Sequence, residues 1–173
     1  KLGVAKNTLV AFCSDNGPEG NQNAPGRQGD FKGRKRSLYE GGVRVPVIVR
    51  WPGVTAPGSV LDDPVWSADL YPTALEFAGL AARPTQHVDG LSLAPALRGG
   101  RLPERALYWH YPHYGNQGGA PSGALRWGDW KLVAWFEDDR VELYDLGADE
   151  AESTDLAAAD PARTAQLLSL IHI

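Results

Sequence analysis

The chain has 173 residues, a formal net charge of −4, and 43% hydrophobic against 22% charged residues, the make-up of an ordinary globular protein with enough apolar material for a core. The acidic balance offers no basic face for nucleic acid. The single cysteine, Cys13, excludes an internal disulfide framework or a zinc knuckle, and no run of about 18 apolar residues exists to span a membrane. The 20 Gly and 13 Pro predict many turns and few long helices.

The opening KLGVAKNTLV has neither an initiator methionine nor the apolar core and cleavage site of a signal peptide, so the chain is expected to start inside a longer protein. Asn7 to Cys13 is a continuous β-branched and aromatic run, the pattern of a strand buried on both faces of a parallel sheet. Val45 to Trp51 repeats it and closes on Pro52-Gly53. The intervening Gly-, Asn-, Gln- and Arg-rich segment is too long for a mere connection, and long ordered loops at strand ends carry function. Ser67 to Ala78 reads as a helix with Ser67 or Asp69 as its cap, Pro72 in its first turn and Gly79 as its stop.

Beyond Gly99-Gly100 the pattern changes. Ala106 to Tyr111, Ala124 to Trp127, Trp130 to Phe136 and Val141 to Tyr144 read as strands, the middle two as a hairpin around Gly128-Asp129. A helix from Pro161 to Leu168 would cover this antiparallel sheet. The expected organisation is therefore α/β over 1–100, then a small antiparallel α+β subdomain over 101–167. LSLIHI at 168–173 reads as a cloning or sequencing scar, with a genuine amphipathic helix end as the alternative.

Two stretches carry chemistry. In FCSDNGPEG, Phe12 to Gly20, Asp15-Asn16-Gly17 by itself is a turn, because Asx side chains bond nearby backbone and glycine accepts positive φ. The same residues at the carboxyl end of a strand lie where open α/β sheets bind ligands. A carboxylate beside an amide carbonyl suits Ca²⁺ or Mg²⁺, although two oxygens make only part of a site. The second stretch, FKGRKRSLYEGGVRVP, Phe31 to Pro46, is either a solvated basic loop or, near a divalent cation, a positive pocket for a tetrahedral oxyanion. Glu40 and Arg44 read as an ion pair fixing that loop, worth little if exposed.

The order SDNG, a Gly-rich loop, Lys35, YEGG, VRVP, WPG, ADLYPTALEFAG, DGLSLAPALRG, GDWKLV and ELYDL resembles the type I sulfatases over nearly the whole chain. The resemblance implies the C-terminal part of an alkaline-phosphatase-like fold. It also implies Asp15 and Asn16 as Ca²⁺ ligands and Lys35 as the catalytic lysine contacting the sulfate, with Lys32 as the competing candidate because Arg36 stands where many relatives have glycine. The family's formylglycine nucleophile, made from Cys or Ser in a Cys/Ser-x-Pro-x-Arg motif, is expected in a missing N-terminal region. Cys13 lacks that context and is expected to pack at the strand end. In YWHYPHYGNQGG, Tyr108 to Gly119, Trp109 and Tyr111 face a core and the histidines are surface polar residues; alternatively His113, then His110, contact a sugar or aryl leaving group. The substrate implied is a sulfated glycan or aryl sulfate, and the implied location is periplasmic or extracellular. A phosphate or phosphonate monoester hydrolase of the same fold, or a noncatalytic calcium or carbohydrate-binding module, are the alternatives; nothing in the sequence specifies an oligomeric state.

Overall fold

The computed structural model describes residues 2–19, 29–115 and 119–171. The chain divides into two compact units, one of Lys1–Phe12 with Val47–Pro103 and one of Cys13–Pro46 with Glu104–Ile173.

In the first unit, β1 (Val10–Cys13) and β2 (Val47–Arg50) pair with each other in a two-stranded sheet. The expected burial on both faces is not found: Val10, Phe12, Val47 and Ile48 are all exposed, and so is Cys13. Apolar runs of this kind are buried only when further layers cover both faces of the sheet, and this sheet ends at two strands.

A 3₁₀ turn, Ser67–Asp69, leads into the helix α2 (Leu70–Phe77). Asp69 does not act as a simple N-cap. It is fully buried and accepts from the amides of Trp66 at 3.1 Å and Leu91 at 2.9 Å, so its carboxylate ties the helix start to the following loop. Thr73 bonds back to the Asp69 carbonyl and receives the Leu93 amide at 2.8 Å. This places the short helix α3 (Ala94–Leu97) against α2, with Leu75, Leu93, Ala94 and Ala96 buried. Gly79, at φ 68°, ends α2 as the sequence predicts, in the left-handed conformation that glycine adopts without steric cost.

The second unit holds a four-stranded antiparallel sheet in the order β3 (Ala106–Tyr111), β4 (Ser122–Trp127), β5 (Trp130–Trp135), β6 (Val141–Asp145). The hairpin pairs Trp127 with Trp130 around Gly128-Asp129, with Gly128 at φ 60°. Strand side chains alternate between faces. One face collects Leu125, Leu132, Ala134 and Leu143 against Leu167 of the helix α4 (Pro161–Ile171). Asp160 caps α4 by accepting from the Arg163 amide at 3.0 Å, and Pro161 occupies the first position, where no donor is needed. The helix continues through Leu168, Leu170 and Ile171, which pack against this cluster. Residues 172 and 173 of the expected scar lie outside the described residues.

The other face carries Ala124 and Val133, with Trp109, Tyr111 and Trp135 around them. Trp109 and Tyr111 thus face a core. This face is covered by the loop preceding β2, through Leu38, Tyr39 and Val43. The loop was expected with the first domain by its position in sequence; in space it belongs to the four-stranded sheet.

Candidate functional site

Apolar contact alone would let the Phe31–Pro46 loop slide over the sheet, and polar bonds remove that freedom. Leu38 enters the core beside Ala124 and Val133. Tyr39 donates its hydroxyl to Glu142 Oε2 at 2.5 Å, and Tyr144 donates to the same oxygen at 2.8 Å. Burial raises both phenols well above the ordinary tyrosine range, and the Glu142 carboxylate adds to the effect, so both stay protonated donors. Lys32 Nζ donates to the Tyr144 hydroxyl at 2.7 Å and lies 4.2 Å from the centre of the Tyr39 ring. Lys32 is thereby committed to anchoring the loop.

Glu40 starts a single helical turn, α1 (Glu40–Val43), and is almost wholly buried. Its principal partner is not Arg44, which lies 3.8 Å away and half-exposed, but Lys131 of β5, whose Nζ donates to Glu40 Oε1 at 2.8 Å. Lys131 is fully buried and also lies 3.0 Å from Glu152 Oε1. The other oxygen of Glu152 accepts the Glu40 backbone amide at 2.6 Å. Burial pushes the Glu152 carboxyl above its ordinary range, while the Lys131 charge pulls it back. Arg126 adds a contact to Glu40 Oε2 at 3.4 Å. The Glu40–Arg44 pair read from the sequence is present at 3.8 Å, and a buried carboxylate–ammonium–carboxylate chain through Lys131 adds to it. Removing one member of a buried ionic cluster costs about 3–5 kcal/mol, because a charge is left without compensation.

The glycine pair following Glu40 makes the site. The Gly41 amide bonds the Lys32 carbonyl at 2.8 Å, and the Gly17 amide bonds the Gly42 carbonyl at 2.8 Å. A Cβ on Gly17 would overlap the Gly41 carbonyl, so the two segments touch only because Gly17 carries no side chain, while Cβ atoms on Gly41 and Gly42 would strike carbonyls of the preceding loop. The Lys35 amide donates to the Pro18 carbonyl at 3.0 Å, a second tie between SDNGP and the basic loop. After Lys35 the chain turns at Arg36, whose φ of 76° lies in the region that favours glycine.

These ties create a cavity of about 480 Å³, lined among others by Ser14, Asn16, Phe31, Lys35 and Arg44. Lys35 and Asn16, nineteen positions apart in sequence, share it. Asp15 is exposed beside it and is not among its lining residues. Asn16 commits its Nδ2 to the Gly17 carbonyl at 3.1 Å, so its Oδ1 is the amide's acceptor atom. A carboxylate and an amide oxygen on adjacent residues fit a hard divalent cation. Among the described residues no group of three His, Cys, Asp or Glu side chains could hold a metal.

His110 and His113 do not line the cavity. His110 is tilted against Phe136 at 5.4 Å and His113 stands edge-on to Tyr111 at 5.5 Å. Gly119 packs against the turn after Lys35, where a Cβ would sit 2.7 Å from the Arg36 carbonyl. Sequence reading also missed Arg44 as a cavity residue; its guanidinium lies 4.7 Å from the centre of the Phe31 ring and 3.5 Å from Glu150. Lys131 was detectable as a charge on the alternating strand WKLVAW, whereas Glu152, in a turn after β6, carries no local signal.

The four-stranded sheet with the loop packed on it has the fold of a sulfatase C-terminal region of the alkaline-phosphatase-like superfamily. Residues 26–170 match the family described as N-sulphoglucosamine sulphohydrolase, C-terminal, and the chain belongs to it. A sulfatase of Formosa agariphila is 37% identical over 179 residues, covering 97% of this chain and 32% of the relative. The crystal structure of Ps i-CgsB superposes with a TM-score of 0.78 at 28% identity, over 95% of this chain and 36% of that one. A protein solved in complex with its substrate D-glucosamine-2-N,6-O-disulfate has a TM-score of 0.74 at 27% identity, covering 98% and 34%. A phosphonate monoester hydrolase from Silicibacter pomeroyi also matches, with a TM-score of 0.64 at 28% identity over 94% of this chain and 33% of that one. The chain thus spans about a third of the length of these relatives.

Proposed function

We propose that this chain is the C-terminal portion of a sulfatase that hydrolyses sulfate esters on a glycan, and that it contributes the oxyanion and part of the metal site. The observation that carries the reading is the shared cavity of Asn16 and Lys35. Asp15 and Asn16 would hold Ca²⁺, which when bound acts as a Lewis acid toward the sulfate oxygens. Lys35 binds the sulfate as a compact point charge and neutralises charge that builds on the transferring group. The Gly17–Gly42 and Lys35–Pro18 backbone bonds hold these groups in register, so little reorganisation is needed at the moment of reaction. Arg44, in the same cavity, is placed to add positive charge. His113 is the first candidate for contact with the leaving group and His110 the second, because each stands beside an aromatic ring, a pairing suited to a sugar or aryl group. A formylglycine nucleophile and the remaining metal ligands would, on this reading, come from outside this chain. By this reading the 173-residue chain alone has no turnover, and export to the periplasm or the outside follows by analogy with the family. No described helix is long and apolar enough to cross a membrane.

The second reading, a phosphonate or phosphate monoester hydrolase, is favoured by the Silicibacter pomeroyi likeness and by the ability of this cavity to take any tetrahedral anion. Assay of the full-length enzyme separates the two. Release of sulfate from sulfated glycosaminoglycan fragments, abolished by chelation and restored by Ca²⁺, supports the first. Turnover of a phosphonate monoester at a higher kcat/KM than any sulfate ester would replace it with the second.

A further inference from the structure

We infer that Lys131 and Glu152, both outside the cavity, are positioning residues for Lys35 and Asn16, acting through the α1 turn. The inference rests on the sulfatase reading and names what sets the geometry of that site. Glu152 holds α1 at two points, with one oxygen on the Glu40 amide at 2.6 Å and the other beside Lys131, which itself grips the Glu40 carboxylate. No apolar replacement could hold both a backbone amide and a side chain in one direction. An apolar cluster of equal volume would often stabilise as well as a buried ionic one, so the chemistry chosen here points to orientation.

Glu152 also has a backbone φ of 53°, a costly conformation for a residue with a side chain. The preceding turn keeps it there: Asp149 accepts from the amides of Ser153 and Thr154, both at 2.8 Å, and its carbonyl takes the Glu152 amide at 3.2 Å. From Glu40 the constraint passes to the cavity in two bonds, Gly41 to Lys32 and Gly17 to Gly42. A shift of Glu40 therefore displaces the carbonyl on which the Asn16-Gly17 segment hangs.

The test uses the full-length enzyme that carries this chain, with Glu152→Gln as the near-isosteric variant and Lys131→Met as the charge-free one. Glu152→Gln should lower kcat on a sulfated glycan about ten- to a hundredfold while KM moves less than about threefold, the pattern of misplaced catalytic groups. In parallel, hydrogen exchange at the amides of Glu40, Gly41 and Gly42 should accelerate about tenfold or more, with Leu132 and Leu143 unchanged. Lys131→Met should move the same readouts further if it folds; if it does not, Glu152→Gln decides. Unchanged kcat in a folded Glu152→Gln enzyme overturns the inference, as does exchange that quickens equally across β5 and β6, which marks a merely structural role. A wild-type enzyme without sulfatase activity would sink the functional reading instead, and the exchange measurement then decides the positioning by itself.

Discussion

The backbone amide of Gly17 donates to the carbonyl of Gly42 at 2.8 Å, joining two segments that share no neighbouring sequence. The approach leaves no room for a methyl group, since a Cβ on Gly17 would overlap the carbonyl of Gly41. Gly17→Ala should therefore cost about 1–3 kcal/mol or push the loops apart. Denaturant unfolding and steady-state kinetics of the full-length enzyme should show lower stability, lower kcat, or both. A variant matching wild type in both would mean that this contact does not hold the cavity.

Lys35 and Lys32 should separate cleanly. Lys35→Ala removes the ammonium of the cavity and is expected to lower kcat about 10²- to 10³-fold with bound Ca²⁺ retained. Lys32→Ala removes the bond to Tyr144 and the contact with the Tyr39 ring. It should cost about 1 kcal/mol of stability and leave kcat within a few-fold of wild type. The opposite pattern would make Lys32 the inward lysine.

Asp15→Ala should weaken Ca²⁺ binding, measured by calorimetry, and lower activity in step, with part of the activity recovered at high Ca²⁺. Activity lost at unchanged Ca²⁺ affinity would take Asp15 out of the metal site.

Asp160 supplies a pH test. The Arg163 amide, then its guanidinium, hold the Asp160 carboxyl below the ordinary carboxylate range. The folded-state value thus lies below the unfolded one. Its contribution to stability is full above the ordinary range and is lost as pH falls through the lowered folded value. Asp160→Asn, which can still cap α4, should melt slightly below wild type at neutral pH and converge with it in acid, flattening the acid limb of a melting-temperature series. An acid limb identical to wild type would show that Asp160 contributes nothing to it.

Strand alternation made β3 to β6 readable in advance, along with the Gly128 hairpin and a covering helix, because one face of each strand must meet α4. Asn16, Lys35 and Lys32 became candidates through the order of short motifs, which left the choice between the two lysines open. The Glu152 turn was not, since a glutamate in a polar loop looks the same in sequence whether it meets water or the buried Lys131. The exposure of β1 and β2 was illegible for a related reason: VAFC and VIVR state what the strands prefer to bury and not what lies over them.

Local chemistry, written residue by residue, determined the elements, the glycine contacts and the charge types of the candidate site, because turns, caps and strand faces depend on near neighbours. Which lysine lines the cavity, which carboxylate grips Lys131, and where the basic loop packs were decided by tertiary structure alone. Each depends on groups far apart in the chain, whose attraction counts only after burial has removed the water between them.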